Sequence, residues 1–121
     1  MHKPHLIDGF KYDLRVYVFL NGISPLRVYI FKDGLARFAT AKYKKPDDKN
    51  CSNLFMHLTN YAINKESENF VANTDKNADD VGSKRSLQAI LDHIEDEFDS
   101  EAMENLQKGI YDIIIKSLCL A

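Results

Sequence analysis

The chain has 121 residues, 45% of them hydrophobic and 28% charged, with a formal net charge of -2 at pH 7. That is one domain's worth of polypeptide with a globular composition, which excludes general disorder. Its near-neutral balance supplies no global field for nucleic acid or an anionic membrane. Cys51 and Cys119 lie far apart, with neither disulfide-framework nor metal-ligand spacing, so they fit a reducing compartment and read as inert thiols. No stretch reaches the ~18 apolar residues of a membrane span. The opening "MHKPHLIDGF" lacks the apolar run of a signal peptide, so the glycosylation pattern Asn50-Cys51-Ser52 reads as chance and a cytosolic setting is expected.

Strands are expected first. Residues 10–20 are rich in Val, Tyr, Phe and Leu, and Asn21-Gly22 follows as a turn signal. "LRVYIF", residues 26–31, reads as a second strand, Lys32-Asp33-Gly34 as another tight turn, and "LARFAT", residues 35–40, as a third strand. Connections this short favour an antiparallel meander. After the polar stretch "AKYKKPDDKNCSN", residues 54–64, "LFMHLTNYAIN", read as a short strand running into a loop or a single helical turn. Residues 65–80 carry few large apolar side chains besides Phe70 and Val71 and read as a mobile surface loop.

Two helices are expected to close the chain. Ser83 is a plausible N-cap for a helix whose apolar stripe is Leu87, Ile90, Leu91, Ile94 and Phe98, with Asp92, Glu95, Asp96, Glu97 and Asp99 as its solvated face and following turn. The second helix, residues 101–120, presents Met103, Leu106, Ile110, Ile113, Ile114 and Leu118 on one side. Its end, "IIIKSLCLA", is apolar nearly all round, as in a helix buried within something larger. The class is α+β: an antiparallel β-meander followed by a loop and two helices, with residues 1–121 expected to be part of a larger domain.

Several polar residues invite two readings each. Lys11, Asp13 and Arg15 share one face of a strand, by its period of two. They are either a solvent-facing charge ladder or, on a strand that then turns apolar, cations in a cleft. Unpaired charges in a cleft cost several kcal/mol and call for an anionic partner such as a polyphosphate. Arg37, mid-strand in "GLARFAT", is either a surface or salt-bridge residue or a bidentate clamp on carboxylate or phosphate. In "HLTNYAIN", His57, Thr59, Asn60, Tyr61 and Asn64 either cap local turns or donate to phosphate oxygens. Lys42, Lys44 and Lys45 either steer an acidic peptide or keep an edge soluble. His2, His5 and His93 form no metal constellation and read as surface residues.

Taken together, "LIDGFKYDLRVYVFL", "PLRVYIFKDGLARFATAKY", "FMHLTNYAINK" and "VGSKRSL" resemble, in order and over nearly the whole chain, the consecutive blocks of the tubulin tyrosine ligase-like enzymes, which have an ATP-grasp fold. "HLTNYAIN" and "GLARFAT" look closest to the polyglutamylase branch. The resemblance implies a partial ATP-grasp domain, incomplete at both ends. The implied activity is tubulin polyglutamylation: ATP-dependent addition of glutamate to glutamates of the tubulin tail through an acyl phosphate. By the resemblance, Lys11, Asp13, Thr59 and Asn60 contact ATP, and Arg15 and Arg37 are catalytic, holding the reacting phosphate or the incoming amino acid. Tyr61, Ser83 and Lys84, with Arg37, border the substrates. ATP and Mg²⁺ are the implied cofactors, the metal ligands being expected outside this chain. Free L-glutamate and the acidic C-terminal tails of tubulin are the implied partners, and cytoplasm, cytoskeleton, cilium and basal body the implied settings, without nucleic acid or membrane. A non-catalytic relative binding nucleotide or microtubules is one alternative, and a small α+β interaction module with a charged sheet face is another.

Overall fold

The structure, a computed structural model, describes residues 3–72 and 82–119. Backbone contacts divide the chain into two units, Met1–Leu87 and Gln88–Ala121. The first unit is built on a four-stranded antiparallel sheet with strand order β1-β2-β3-β4: β1 Leu6–Ile7, β2 Phe10–Ile23, β3 Leu26–Phe38 and β4 Lys84–Ser86. Asp8 and Gly9, with φ of 54° and 81°, make the tight turn between β1 and β2. Positive φ at both central residues suits a two-residue hairpin, and Asp-Gly tolerates it.

β2 and β3 form one long hairpin, where two turns were expected. The register runs from Tyr12↔Phe38 to Ile23↔Leu26, and the reversal falls at Ser24-Pro25, joined by a cis peptide bond. Asn21 is absorbed in an irregularity between Leu20 and Gly22, and β3 continues straight through Lys32-Asp33-Gly34. Pairing jumps from Val16↔Gly34 to Val18↔Ile30, so Phe31, Lys32 and Asp33 stand opposite Tyr17 as a bulge. Gly34 is required there for space, its φ lying outside the left-handed region: a Cβ would sit 2.4 Å from the Arg15 carbonyl oxygen. The second expected turn is therefore corrected to a bulge, and the second and third expected strands are one.

The connection back to β4 carries two single helical turns, α1 Leu54–His57 and α2 Tyr61–Asn64. The strand expected over the apolar start of this segment is helical instead, because a short apolar run carries no period to tell strand from helix. α1 buries Met56 and offers the Phe55 carbonyl to the amides of Thr40 and Ala41, both at 3.0 Å, beyond the end of β3. Residues 65–70 follow as hydrogen-bonded turns, and Phe70 packs its ring edge on Tyr61 at 5.7 Å. The remainder of the expected loop, residues 73–80, lies outside the described residues, as does Val81. Ile7, Ala36, Phe38, Ala39, Met56 and Leu87 form the unit's buried apolar core, with Tyr12 stacked on Phe38 at 5.4 Å.

α3, Leu87–Glu97, starts at the last residue of the first unit and runs on into the second, where α4, Ser100–Cys119, follows it. Leu87, Ile90, Leu91 and Ile94 are buried as the stripe requires, whereas Phe98 falls past the helix end and is exposed. The acidic run is exposed, as expected. Asp99 accepts the Ala102 amide at 2.7 Å and so caps α4. Met103, Leu106, Ile110, Ile114 and Leu118 are half-buried on one side, while Ile113 is exposed and no described residue of α4 is fully buried.

Candidate functional site

The alternation of β2 places Lys11, Asp13 and Arg15 on one face, and the registers of its neighbours extend that face sideways. Asp13 pairs with Arg37, and Arg37 with Lys84, so three chemistry-bearing residues from separate parts of the chain stand in one row across β2, β3 and β4. The next row is Arg15, Leu35 and Ser86.

Within the first row, Asp13 and Arg37 form a two-pronged pair. Arg37 Nε donates to Asp13 Oδ1 at 3.0 Å and Nη2 donates to Asp13 Oδ2. This fork-on-carboxylate geometry fixes the guanidinium plane. The hydrogen-bonded Asp13 carboxylate holds Arg37 above the ordinary arginine range, with partial burial pulling the other way, so the cation persists throughout the working pH range. Among the described residues the pair leaves the second amino group of Arg37 without a hydrogen-bond partner, available to an incoming anion.

The other expected residues surround this pair. Lys11 Nζ donates to the His57 carbonyl at 2.6 Å, leaving further ammonium donors on the same face. Arg15 is exposed. Lys84 sets its ammonium over the Tyr61 ring, 3.8 Å from the centroid, a close cation–π contact. Thr59 is buried beside these groups, and Arg37, Thr59, Tyr61 and Lys84 line one small concavity. Asn60 is exposed; its carbonyl accepts the Ile63 and Asn64 amides and so starts α2.

Ser83 has a different role from the helix cap expected of it. β4 intervenes before α3, and Ser83 is a buried bridge: its carbonyl accepts the Phe38 amide at 3.0 Å, and its hydroxyl accepts the Val71 amide at 3.2 Å. His57 also serves the scaffold, its ring nitrogen meeting the Asn50 carbonyl at 3.0 Å. Lys42, Lys44 and Lys45 are exposed. On the opposite sheet face a cavity of about 420 Å³ includes Phe10, Phe38, Lys42 and Arg85, with the Arg85 guanidinium stacked 4.4 Å from the Phe38 centroid.

Among the described residues no group of three or more His, Cys, Asp or Glu is placed to hold a metal ion. Thr40, outside the expected set, and the buried Asn64, one of the polar residues of "HLTNYAIN", also belong to this neighbourhood and bond to one another. Asn64 was legible as a polar residue in "HLTNYAIN". Its full burial and long-range partner carry no one-dimensional signal.

This is an α+β fold whose sheet carries one polar, cation-bearing face. Residues 1–121 match the model of the tubulin-tyrosine ligase family along the whole chain, and the chain belongs to that family. It is 47% identical over 121 residues to a probable beta-tubulin polyglutamylase of Tetrahymena thermophila, covering 100% of this chain and 10% of that protein. To tubulin polyglutamylase ttll6 of Danio rerio it is 48% identical over 121 residues, covering 100% of this chain and 15% of the relative. To tubulin polyglutamylase TTLL6 of Homo sapiens it is 44% identical over 119 residues, covering 98% of this chain and 13% of the relative. The chain thus spans between 10% and 15% of the length of these three relatives.

Proposed function

We propose that this chain supplies one wall of the catalytic cleft of an ATP-dependent ligase that adds free L-glutamate to glutamate side chains of tubulin tails. The observation that carries the reading is the row Asp13–Arg37–Lys84, which brings together on one face residues that are remote in sequence. Family membership and the polyglutamylase names of the relatives supply the chemical context.

The donor set fits a triphosphate and a dicarboxylate. Lys11, Arg15, Arg37 and Lys84 are basic side chains on one side of the sheet, and Asp13 is the carboxylate in the two rows that hold Arg15, Arg37 and Lys84. A side-chain carboxylate is a poor acyl donor until ATP converts it to an acyl phosphate, which the amine of glutamate attacks with loss of phosphate. Every participant but the amine is anionic, so fixed positive charge lowers the barrier. In this reading Lys11, Asp13, Thr59 and Asn60 face the nucleotide. Arg15 and Arg37 serve the reacting phosphate or the incoming amino acid, and Tyr61, Ser83 and Lys84 border the substrates. Asp13 acts on the cleft by orienting Arg37. Mg²⁺, when bound, neutralises phosphate charge; its ligands belong to residues other than the set named here. Exposed Lys42, Lys44 and Lys45 suit steering of an acidic tail. A cytoskeletal setting, ciliary or basal-body included, follows from that substrate.

Titration with ATP of the full-length polypeptide carrying this chain, with Lys11→Ala alongside, tests the cleft. Binding by the parent and an affinity loss of about tenfold in Lys11→Ala is expected for one lost charged contact. Equal affinity in both removes Lys11 from the nucleotide site. Incorporation of labelled glutamate into tubulin separates an active ligase from a nucleotide-binding relative without activity.

A further inference from the structure

Among the described residues, Asn64 is one of the three largest fully buried side chains, with Ile7 and Ile90, and the polar one among them. A carboxamide offers two N–H donors and two acceptor lone pairs. All four are used: Oδ1 accepts the Thr40 amide at 3.0 Å and the Thr40 hydroxyl at 2.9 Å, while Nδ2 donates to the carbonyls of Leu58 at 2.8 Å and Asn60 at 3.1 Å. The partners fix which end is oxygen, because the two carbonyls can only accept and the Thr40 amide can only donate.

The location of those partners gives the network its significance. Leu58 and Asn60 flank Thr59, and Thr40 follows closely on Arg37 beyond the end of β3. One buried amide therefore ties both sides of Thr59 to the strand that carries Arg37. α1 and α2 have four residues each and cannot hold themselves in place by helix propagation, which needs a longer run. The distance between the Thr59–Asn60 segment and the Arg37–Asp13 pair depends on an external tie, and this amide makes it.

We propose that Asn64, locked by Thr40, is a positioning residue that sets the Thr59–Asn60 segment against Arg37 and thereby fixes nucleotide affinity. The inference rests on the reading of this face as a nucleotide cleft. Asn64→Asp keeps size and acceptors but removes both donors, leaving two buried carbonyls facing a carboxylate. Thr40→Val removes the hydroxyl bond alone, and Thr40→Ser restores it.

The test uses the full-length polypeptide carrying this chain, with amide hydrogen exchange for the tie and KM for ATP, KM for glutamate and kcat for its consequence. In Asn64→Asp, protection should fall at residues 59–63 while the paired amides of β2 and β3 keep theirs, and KM for ATP should rise by about tenfold or more. Thr40→Val should show a smaller rise, roughly threefold to tenfold, with KM for glutamate little changed and Thr40→Ser close to the parent. Should Asn64→Asp fail to fold, the Thr40 pair decides. Unchanged KM for ATP in folded variants overturns the proposal, as does a uniform loss of stability and all kinetic constants that Ser does not rescue. A parent protein that binds no ATP overturns the cleft reading itself, and the exchange data still report whether the tie exists.

Discussion

The long hairpin of β2 and β3 has two halves that differ in almost everything except backbone pairing. In the half nearer its open end, Tyr12↔Phe38 to Val16↔Gly34, the ribbon is widened by β1 and β4 and backed by a core in which Ala36 is 0% and Phe38 4% exposed. In the half toward Ser24-Pro25, no further strand among the described residues joins it, and Phe19 is 64%, Phe31 66% and Ile23 80% exposed. Every candidate site residue on the hairpin belongs to the first half. A charge acts on a substrate only if its position is fixed, and positions are fixed where neighbouring strands and a packed core support them. The second half is largely apolar apart from Asn21, Arg27 and the bulge residues Lys32 and Asp33, with Phe19 and Tyr29 paired across the strands at 6.4 Å between centroids. A two-stranded ribbon of that kind is marginal by itself in water, and so much exposed apolar surface is characteristic of a contact region.

The comparison can be broken most directly at Arg37. Arg37→Gln removes the fixed charge while keeping a polar side chain beside Asp13, and in the full-length polypeptide glutamate incorporation into tubulin should drop about a hundredfold with the fold intact by circular dichroism. A rate close to the parent would detach the supported half from catalysis. At the junction of the halves, Gly34→Ala forces a Cβ toward the Arg15 carbonyl, and the chain should lose about 1–3 kcal/mol in denaturant unfolding. No loss would mean that the bulge is not a constraint. Smallest in stability, replacing Phe19 and Tyr29 together by Ser should change unfolding free energy by only about 0.5 kcal/mol per site, because both side chains are exposed. A large destabilisation would show that the outer half is structurally supported after all.

The two Asp-Gly pairs show how far local sequence signals reach. Asp8-Gly9 makes a tight turn, while Asp33-Gly34 carries the same dipeptide through a bulge in an unbroken strand. Nothing local separates them; the approach of the Arg15 carbonyl to Gly34 does, and that contact spans the sheet. Ser83 teaches the same lesson. A serine ahead of an apolar helical stripe is a sound cap signal, yet β3 recruits the intervening residues as β4 and the helix starts only at Leu87. By contrast, the helical stripe from Leu87 to Ile94 and the half-buried side of α4 emerged close to expectation, because a 3.6-residue period is a local property.

The amino-acid order alone determined the α+β class, the charged alternation on β2, the helical faces and, through its block wording, the family. Tertiary structure alone decided that Asp13 clamps Arg37, that Lys84 completes their row over Tyr61, and that Asn64 reaches back to Thr40. Periodicity encodes which way a side chain points from its own backbone. Which distant residue it meets there is set by strand register and core packing, and these exist only once the chain has closed on itself.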